Sequence, residues 1–582
     1  MGQGGPLIRT DNAADSMAGG LHRRDWLALM GGAGLGLAGC SPAAPALQGG
    51  FEGAAFERGH LLRENPRRWP APAVSRRVGV VVAGAGIAGL AAARSLRLGG
   101  VDDLAILELD EQPGGNSRGR LLGSQPCPTG AHYLPLPGDD APEVQALLEE
   151  LGLRRRQAGR WVYDEQALCH SPQERLYVEG GWQEGLLPAH DLSAATRAQY
   201  QRFAGLVAGL QRQARFAIPL ASQGLSPVQL ALDSQTFAQW LAQQGLDDAR
   251  LRWYLDYCCR DDYGAGLAEV SAWAGIHYFA SRHGFHAPGS DEAAEAADTP
   301  VLTWPEGNGW LVDRLAAPWQ GDARHGPLYP GRVVLRIEDQ RQGVAVDVWD
   351  VARQRVERWL AAHCIVALPV HVAARVVVTA PDWLQSTALR WQHAAWVVGN
   401  LLLDQPLLDR PGAAPAWDNV IYGSSGLGYV NAAHQRLDPR PGPTVLTFYR
   451  ALGAAKPARK ALLEQPWTHW RGPMLDEFLG PHPDLLSHAR EFSLSRHGHA
   501  MAVPVPGVLA HLSRLPLAAA AQAVPALRQR RTGASVPAAL AQGRVSYAHS
   551  DWSGYSVFEE AFTRGHDAGL LAVQQLRGRT PS

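Results

Sequence analysis

Residues 78–96 read VGVVVAGAGIAGLAAARSL. The run Val78-Gly79-Val80-Val81-Val82-Ala83 is apolar and β-branched, which predicts a buried parallel strand. Gly84-Ala85-Gly86-Ile87-Ala88-Gly89 follows at once, and Leu90 to Leu96 is rich in strong helix formers. This is GxGxxG set between a strand and a helix. Gly84 permits the tight turn, Gly86 lets a pyrophosphate approach the backbone, and Gly89 lets helix and strand pack closely. The helix N-terminus, with Ile87 and Ala88, turns free N–H groups and a positive dipole end toward the phosphates. A second strand, Leu104-Ala105-Ile106-Leu107, ends in Glu108. Glu108 stands 19 residues after Gly89, where an acid binds the ribose hydroxyls. A lone glycine motif is weak, but strand, glycines, helix, strand and acid in that order predict a dinucleotide site.

The next segment, Asp110-Glu111-Gln112-Pro113-Gly114-Gly115-Asn116-Ser117-Arg118, carries a Gly-Gly pair and an Arg shortly after the acid. In this it resembles the flavin-dependent amine oxidase superfamily, which also holds protoporphyrinogen oxidases and carotenoid desaturases. The resemblance implies FAD, with Gly114, Gly115 and Arg118 among its contacts, and a C-terminal segment without Cys predicts that it is held without a covalent link. The family's usual Arg directly after the Gly pair is Asn116 here, and Arg118 is the nearest substitute. Pro128-Thr129-Gly130-Ala131-His132-Tyr133 resembles the flavin-facing strand, with Gly130 and Ala131 at the flavin. Trp304 to Leu315 resembles the family's Gly-rich loop leading into a helix. Arg332 to Ile337 resembles the strand whose backbone meets adenine, at Val334. Cys364 to Pro369 resembles the buried strand that returns to the nucleotide domain. In the C-terminal stretch YAHSDWSGYSVFEEAFTRGHDAG, residues 547–569, Asp551 matches the acid near the ribityl-phosphate region.

The implied fold class is α/β, a discontinuous Rossmann-like FAD-binding domain with a mixed α+β substrate domain. FAD-binding parts are expected at 76–140, 301–384 and 496–575. Substrate-domain parts are expected at 141–300, mostly helical, and at 385–495. Within the first of these, Trp161-Val162-Tyr163 and Glu174 to Val178 are expected to pair as strands.

Candidate catalytic residues follow from the resemblance and from spacing. Trp552-Ser553-Gly554-Tyr555 matches the amine-oxidising branch, but the helix start Glu559-Glu560-Ala561 lies two residues late and has Glu560 where the family has Gly. Either Tyr555 or Phe558 then walls the substrate pocket. Trp304 and Trp552 are further candidate walls, with core packing as the alternative for each. His497 and His499 are two apart, so on a strand both rings face one side. They serve as substrate contacts or proton shuttles, or as polar residues at a domain junction. Metal binding needs a third ligand that no spacing supplies, so none is expected. Cys258-Cys259 reads as a pair of small buried residues on a helix rather than a redox pair.

The implied reaction is hydride removal from a C–N bond of an amine to FAD. Many oxidases of the family use a Lys-held water, yet this chain has two lysines, Lys456 and Lys460, on an exposed-looking helix. That favours the alternative, a desaturase or dehydrogenase acting on C–C bonds and passing electrons to a quinone or redox partner. A flavin-binding protein without turnover is the reading outside the enzymes.

Composition bounds the rest. Fifty-four Lys+Arg against 55 Asp+Glu leave a net charge of −1, with no case for coating nucleic acid. Six cysteines in 582 residues, without CxxC, exclude a disulfide scaffold and the common zinc modules. Residues 1–40 read as an address. Arg23-Arg24 precede an apolar run, Trp26 to Gly39, too short to span a membrane as a helix. The twin arginines resemble a Tat export signal, and Leu37-Ala38-Gly39-Cys40 resembles a lipobox, with Cys40 the lipidated residue. The expected location is the periplasmic face of the cytoplasmic membrane, with residues 41–75 as a Pro/Gly/Ala-rich linker.

Overall fold

The run of β-branched residues at 78–83 sits in the middle of an eight-stranded sheet. The computed structural model describes residues 47–578, apart from 65–68, 223, 283, 290–299, 322–325, 439 and 517–538. The export signal, Cys40 and most of the acidic loop at 284–300 lie outside the described residues. Strand β1 (Val74–Ala83) leads through the glycine turn into helix α1 (Ile87–Leu98), and strand β2 (Leu104–Leu107) pairs parallel to β1. Strands β3 (Arg332–Gln340) and β4 (Gly343–Asp350) form an antiparallel pair, and β5 (Arg355–Val366) runs parallel along the other edge of β1. The short strand Val545–Tyr547 pairs parallel alongside the last residues of β5. Val80, Val81, Val82 and Ala83 are all fully buried, as a strand covered on both faces requires.

One covering layer is α1 itself, and the C-terminal helix Phe558–Arg577 packs along it. Their approach is set by glycine. A Cβ on Gly565 would stand 2.0 Å from the carbonyl oxygen of Ala88, and one on Gly569 would meet Ala92 and Ser95. The two backbones therefore lie against each other with no side chain between them.

The second eight-stranded sheet is mixed. Its long central strands are β6 (His393–Leu403), β7 (Thr444–Ala451) and β8 (Ala489–Ala502), with β6 antiparallel to both others. Beyond β7 come Tyr429–Asn431, Asp418–Ile421, Glu174–Val178 and Gly181–Glu184. Helices α2 (Ala249–Tyr263) and α3 (Ala272–Ala280) pack in the same core as this sheet. Asp248 starts α2 by accepting hydrogen bonds from the amides of Arg250 and Leu251, and Gly264 ends it in the left-handed conformation.

Three expectations change here. Trp161–Tyr163 does not pair with Glu174–Val178. The former belongs to a hairpin with Arg154–Gln157, and the latter pairs with Gly181–Glu184 and Asp418–Ile421. The turn at Glu179-Gly180 closes the hairpin on one edge, and tertiary packing gives the other edge to the distant Asp418–Ile421. Part of the expected linker is built into the fold. Gln48–Glu52 is an edge strand parallel to β8, and Phe56–Glu64 is a helix. The amide of Ala55 donates to Asp110, so this segment docks on the loop after Glu108. Strand β8 also runs unbroken through residue 496, because its length pairs with β6.

Candidate functional site

The glycine turn opens onto a cavity of about 490 Å³. At one end the lining is backbone: Gly84, Gly86, Ile87 and Ala88 from the turn, Gly114 and Gly115 from the next loop, Gly130 and Ala131 from the third. These loops are tied together. The Gly114 amide donates to the Ala85 carbonyl at 2.8 Å, and the Ala131 amide donates to the Asn116 carbonyl at 2.9 Å. Gly84 has φ +100° and Gly114 φ +117°, which side-chain-bearing residues rarely adopt. A Cβ on Gly86 would meet nothing within 4 Å and would project into open space. Glu108 lines the same end. Its carboxylate accepts hydrogen bonds from the amides of Ala85 and Asp110, both at 2.9 Å. Burial pushes its pKa up against those two bonds.

A backbone cradle that a Cβ would fill, a helix N-terminus and a buried carboxylate at ribose distance along the chain suit a dinucleotide. FAD fits this donor set. Gly84, Gly86, Ile87 and Ala88 would take its phosphates, and Glu108 its ribose. Val334, at the point where β3 bulges against β4, also lines the cavity, with Arg332 beside it.

Gly89, Arg118 and Asp551 do not line the cavity. A Cβ on Gly89 would stand 1.9 Å from the Gly84 carbonyl oxygen, so its place is between helix and turn. Arg118 pairs with Asp110 at 2.9 Å and donates to the Gly115 carbonyl. Asp551 is buried and turned away from the cavity, accepting from the Val370 amide at 2.8 Å and facing His393. Its neighbours His549 and Ser550 line the cavity in its stead. Burial alone would raise the Asp551 pKa, but His549 and His393 hold it well below the carboxylate range.

The far end of the cavity is aromatic and acidic. Trp396 and Val398 on β6, Tyr449 on β7, and His132 and Tyr133 form one side. The His132 and Tyr449 rings stand 4.4 Å apart. Asp261 and Asp262 at the end of α2, with Arg282, form another. Burial and the neighbouring Asp262 push the Asp261 carboxyl up to about 7. Asp262 pairs with Arg282 at 3.3 Å. Behind them Glu174 is the register partner of Asp418 on the adjacent strand, two carboxylates side by side. Glu174 keeps accessible surface, yet enough protein surrounds its carboxyl to push it up to about 7.

His497 and His499 both line the cavity from β8. His497 Nε2 donates to the Thr129 carbonyl at 2.7 Å, which fixes its tautomer. Burial lowers the pKa of His499 to about 3. Three aromatic candidates lie elsewhere. Trp304 stacks on Trp310, Trp552 packs edge-on to Trp383, and Tyr555 donates to Glu560 at 2.6 Å. None lines the cavity, whereas Phe558 and its neighbours Val557 and Glu559 do. The missed lining residues had a faint signal. Asp261 and Asp262 stand in the last turn of a helix, and Trp396 and Val398 alternate on one strand face.

The profile of the family described as flavin containing amine oxidoreductase matches residues 87–448. A coproporphyrinogen III oxidase of Mycobacterium leprae (strain TN) is 30% identical over 226 residues, 38% of this chain and 46% of the relative. The chain thus spans about half the length of that relative. Among solved structures, a putrescine oxidase aligns with TM-score 0.59 and 15% identity, covering 87% of this chain and all of the other. Cyclohexylamine oxidase from Brevibacterium oxydans IH-35A aligns with TM-score 0.58 and 18% identity, over 86% of this chain and all of that one. At such identities the likeness shows a shared fold. The profile, by contrast, takes in more than half of the chain, from the helix of the glycine motif to the cavity strand β7. The chain belongs to the flavin-containing amine oxidoreductase family, FAD-dependent oxidoreductases with FAD as cofactor.

Proposed function

We propose that the protein removes hydride from a C–N bond of an amine, with Asp261 as the base that first neutralises the donor. Bound FAD supplies the hydride acceptor. The observation that carries this reading is the Asp261 carboxyl, held near 7 among Trp396, Tyr133 and Tyr449. An ammonium cannot lose hydride until it has lost a proton, and a carboxylate poised near neutrality accepts that proton. The aromatic walls exclude water and favour the neutral amine.

Anaerobic mixing with a panel of primary and secondary amines, and separately with polyenes, tests the class. Amines should bleach the flavin and polyenes should not. The rate should rise with pH through about 7 as Asp261 ionises. Asp261→Asn should slow bleaching on the order of 10²–10⁴-fold and abolish that limb. Bleaching by polyenes alone would reject the amine reading.

The electron acceptor has a second reading, a quinone or a redox partner in place of O2. Lys456 and Lys460, the two lysines of the chain, are exposed on the helix Lys456–Glu464, away from the cavity. Reduced enzyme should then reoxidise faster with a quinone than with O2. We also propose export through the Tat route and lipidation at Cys40. Among the described residues no helix is long and apolar enough to cross a membrane.

A further inference from the structure

Beside the FAD cavity, segments far apart in sequence converge on Asp551. His371 follows the Leu368-Pro369 lining, His393 begins β6, His499 comes from β8 and His549 from the loop before Asp551. One ligand atom each of His371, His393 and Asp551 lies within 4.8 Å of the others. His393 Nε2 is 3.0 Å from Asp551 Oδ2. The His371 and His393 ring centroids are 5.1 Å apart. His499 stacks on His371 at 4.4 Å and covers it from the cavity side.

The hydrogen bonds of this cluster do not close. His371 Nδ1 is buried without a partner, and so is Asp551 Oδ1. His549 Nδ1 stands 3.2 Å from Oδ1. In the neutral ring that nitrogen accepts the Asp551 amide at 3.1 Å and has no proton to give. Two acceptors then face each other, an arrangement that costs free energy unless positive charge, on the ring itself or on a bound cation, lies nearby. Ligands of a tetrahedral ion at ~2.1 Å stand about 3.4 Å from one another. The His393–Asp551 pair at 3.0 Å is close to that value, and all three ligand atoms lie within 4.8 Å of one another.

We propose that His371, His393 and Asp551 form a binding site for one divalent transition-metal ion beside the flavin cavity. Two imidazoles and one carboxylate suit Zn2+, Fe2+ or Co2+ rather than Mg2+ or Ca2+, which prefer all-oxygen shells. The ion takes the place of the proton that His393 Nε2 shares with Asp551, and that proton leaves to solvent. The Val370 amide, bonded to Asp551 Oδ2, orients the carboxylate from outside the ligand set. Three protein ligands leave at least one further position open.

Equilibrium dialysis of the flavin-loaded, chelator-stripped protein against Zn2+ or Co2+ decides the matter. One ion per chain is expected, with release of about one proton, and Co2+ should give the d–d absorption of a nitrogen/oxygen site. His371→Ala and His393→Ala should each weaken binding at least tenfold. The control is His190→Ala, in the exposed Glu179, His190, Asp191 group, which should leave this binding unchanged. Flavin absorbance of each variant reports whether it is folded. Should a variant lose its flavin, the wild-type Co2+ spectrum and stoichiometry decide alone. No bound ion in the wild type, or binding abolished by His190→Ala and not by His371→Ala, overturns the site.

Discussion

At the scale of single residues, two side-chain positions separate cofactor binding from packing. Gly86 faces open cavity, with nothing within 4 Å of where a Cβ would sit. Gly86→Val fills the approach to the backbone without disturbing any neighbour. The purified variant should keep its fold by circular dichroism and lose at least nine-tenths of its 450 nm flavin absorbance. Yellow Gly86→Val protein would place the phosphates elsewhere. Tyr555 is the opposite case. Its ring packs edge-on with Trp273, His277 and Tyr263, and its hydroxyl donates to Glu560 in the core. Tyr555→Phe leaves the Glu560 carboxylate one donor short, at a cost of about 1–3 kcal/mol. The melting temperature should fall while amine-driven flavin reduction stays within twofold. A tenfold slower reduction at unchanged melting temperature would make Tyr555 a pocket wall. The match of Trp552 to Tyr555 with the amine-oxidising branch misleads because it is local. Trp552 and Ser553 end a tight 3-10 turn, Ser550–Ser553, that Gly554 caps in the left-handed conformation, and Tyr555 follows it into the core.

Among elements, the contact between α1 and the C-terminal helix ties the first and last parts of the chain to the cofactor. Gly565 lies mid-helix, where alanine would ordinarily add about 1 kcal/mol of helix propensity. Here its Cβ would stand 2.0 Å from the Ala88 carbonyl oxygen, a backbone atom that can yield only if the helices part. Gly565→Ala should therefore destabilise by ~1–3 kcal/mol, against the propensity trend. Ala88 lines the cavity, so flavin retention on dialysis should fall with it. A stabilised variant with full flavin would mean that the two helices can separate without cost. The strand–turn–helix of residues 74–98 was legible because every part of it is local. The pairing of Glu174–Val178 with Asp418–Ile421 was not, since nothing in either segment's pattern names a partner some 240 residues away.

On the scale of the whole molecule, the proposed export address predicts where the folded body works. Wild type should fractionate with membranes on the outer side of the cytoplasmic membrane. Replacing Arg23 and Arg24 together by Lys should hold it in the cytoplasm, and Cys40→Ala should leave it soluble or unprocessed. Unchanged fractionation in both variants would reject the address. By itself the sequence determined the nucleotide half of the site. Gly84, Gly86, Glu108, Gly114, Gly115, Gly130 and Ala131 line the cavity because backbone conformation and short spacing place them there. The reacting half was decided by tertiary structure. Asp261 ends a helix, Trp396 and Tyr449 lie on two strands, and Phe558 starts the last helix. None signals the others, since only the packing of sheet and helices brings them to one space. The same holds for His371, His393 and Asp551. Ligand spacing along a chain reveals a site built on one element, but not one assembled from three.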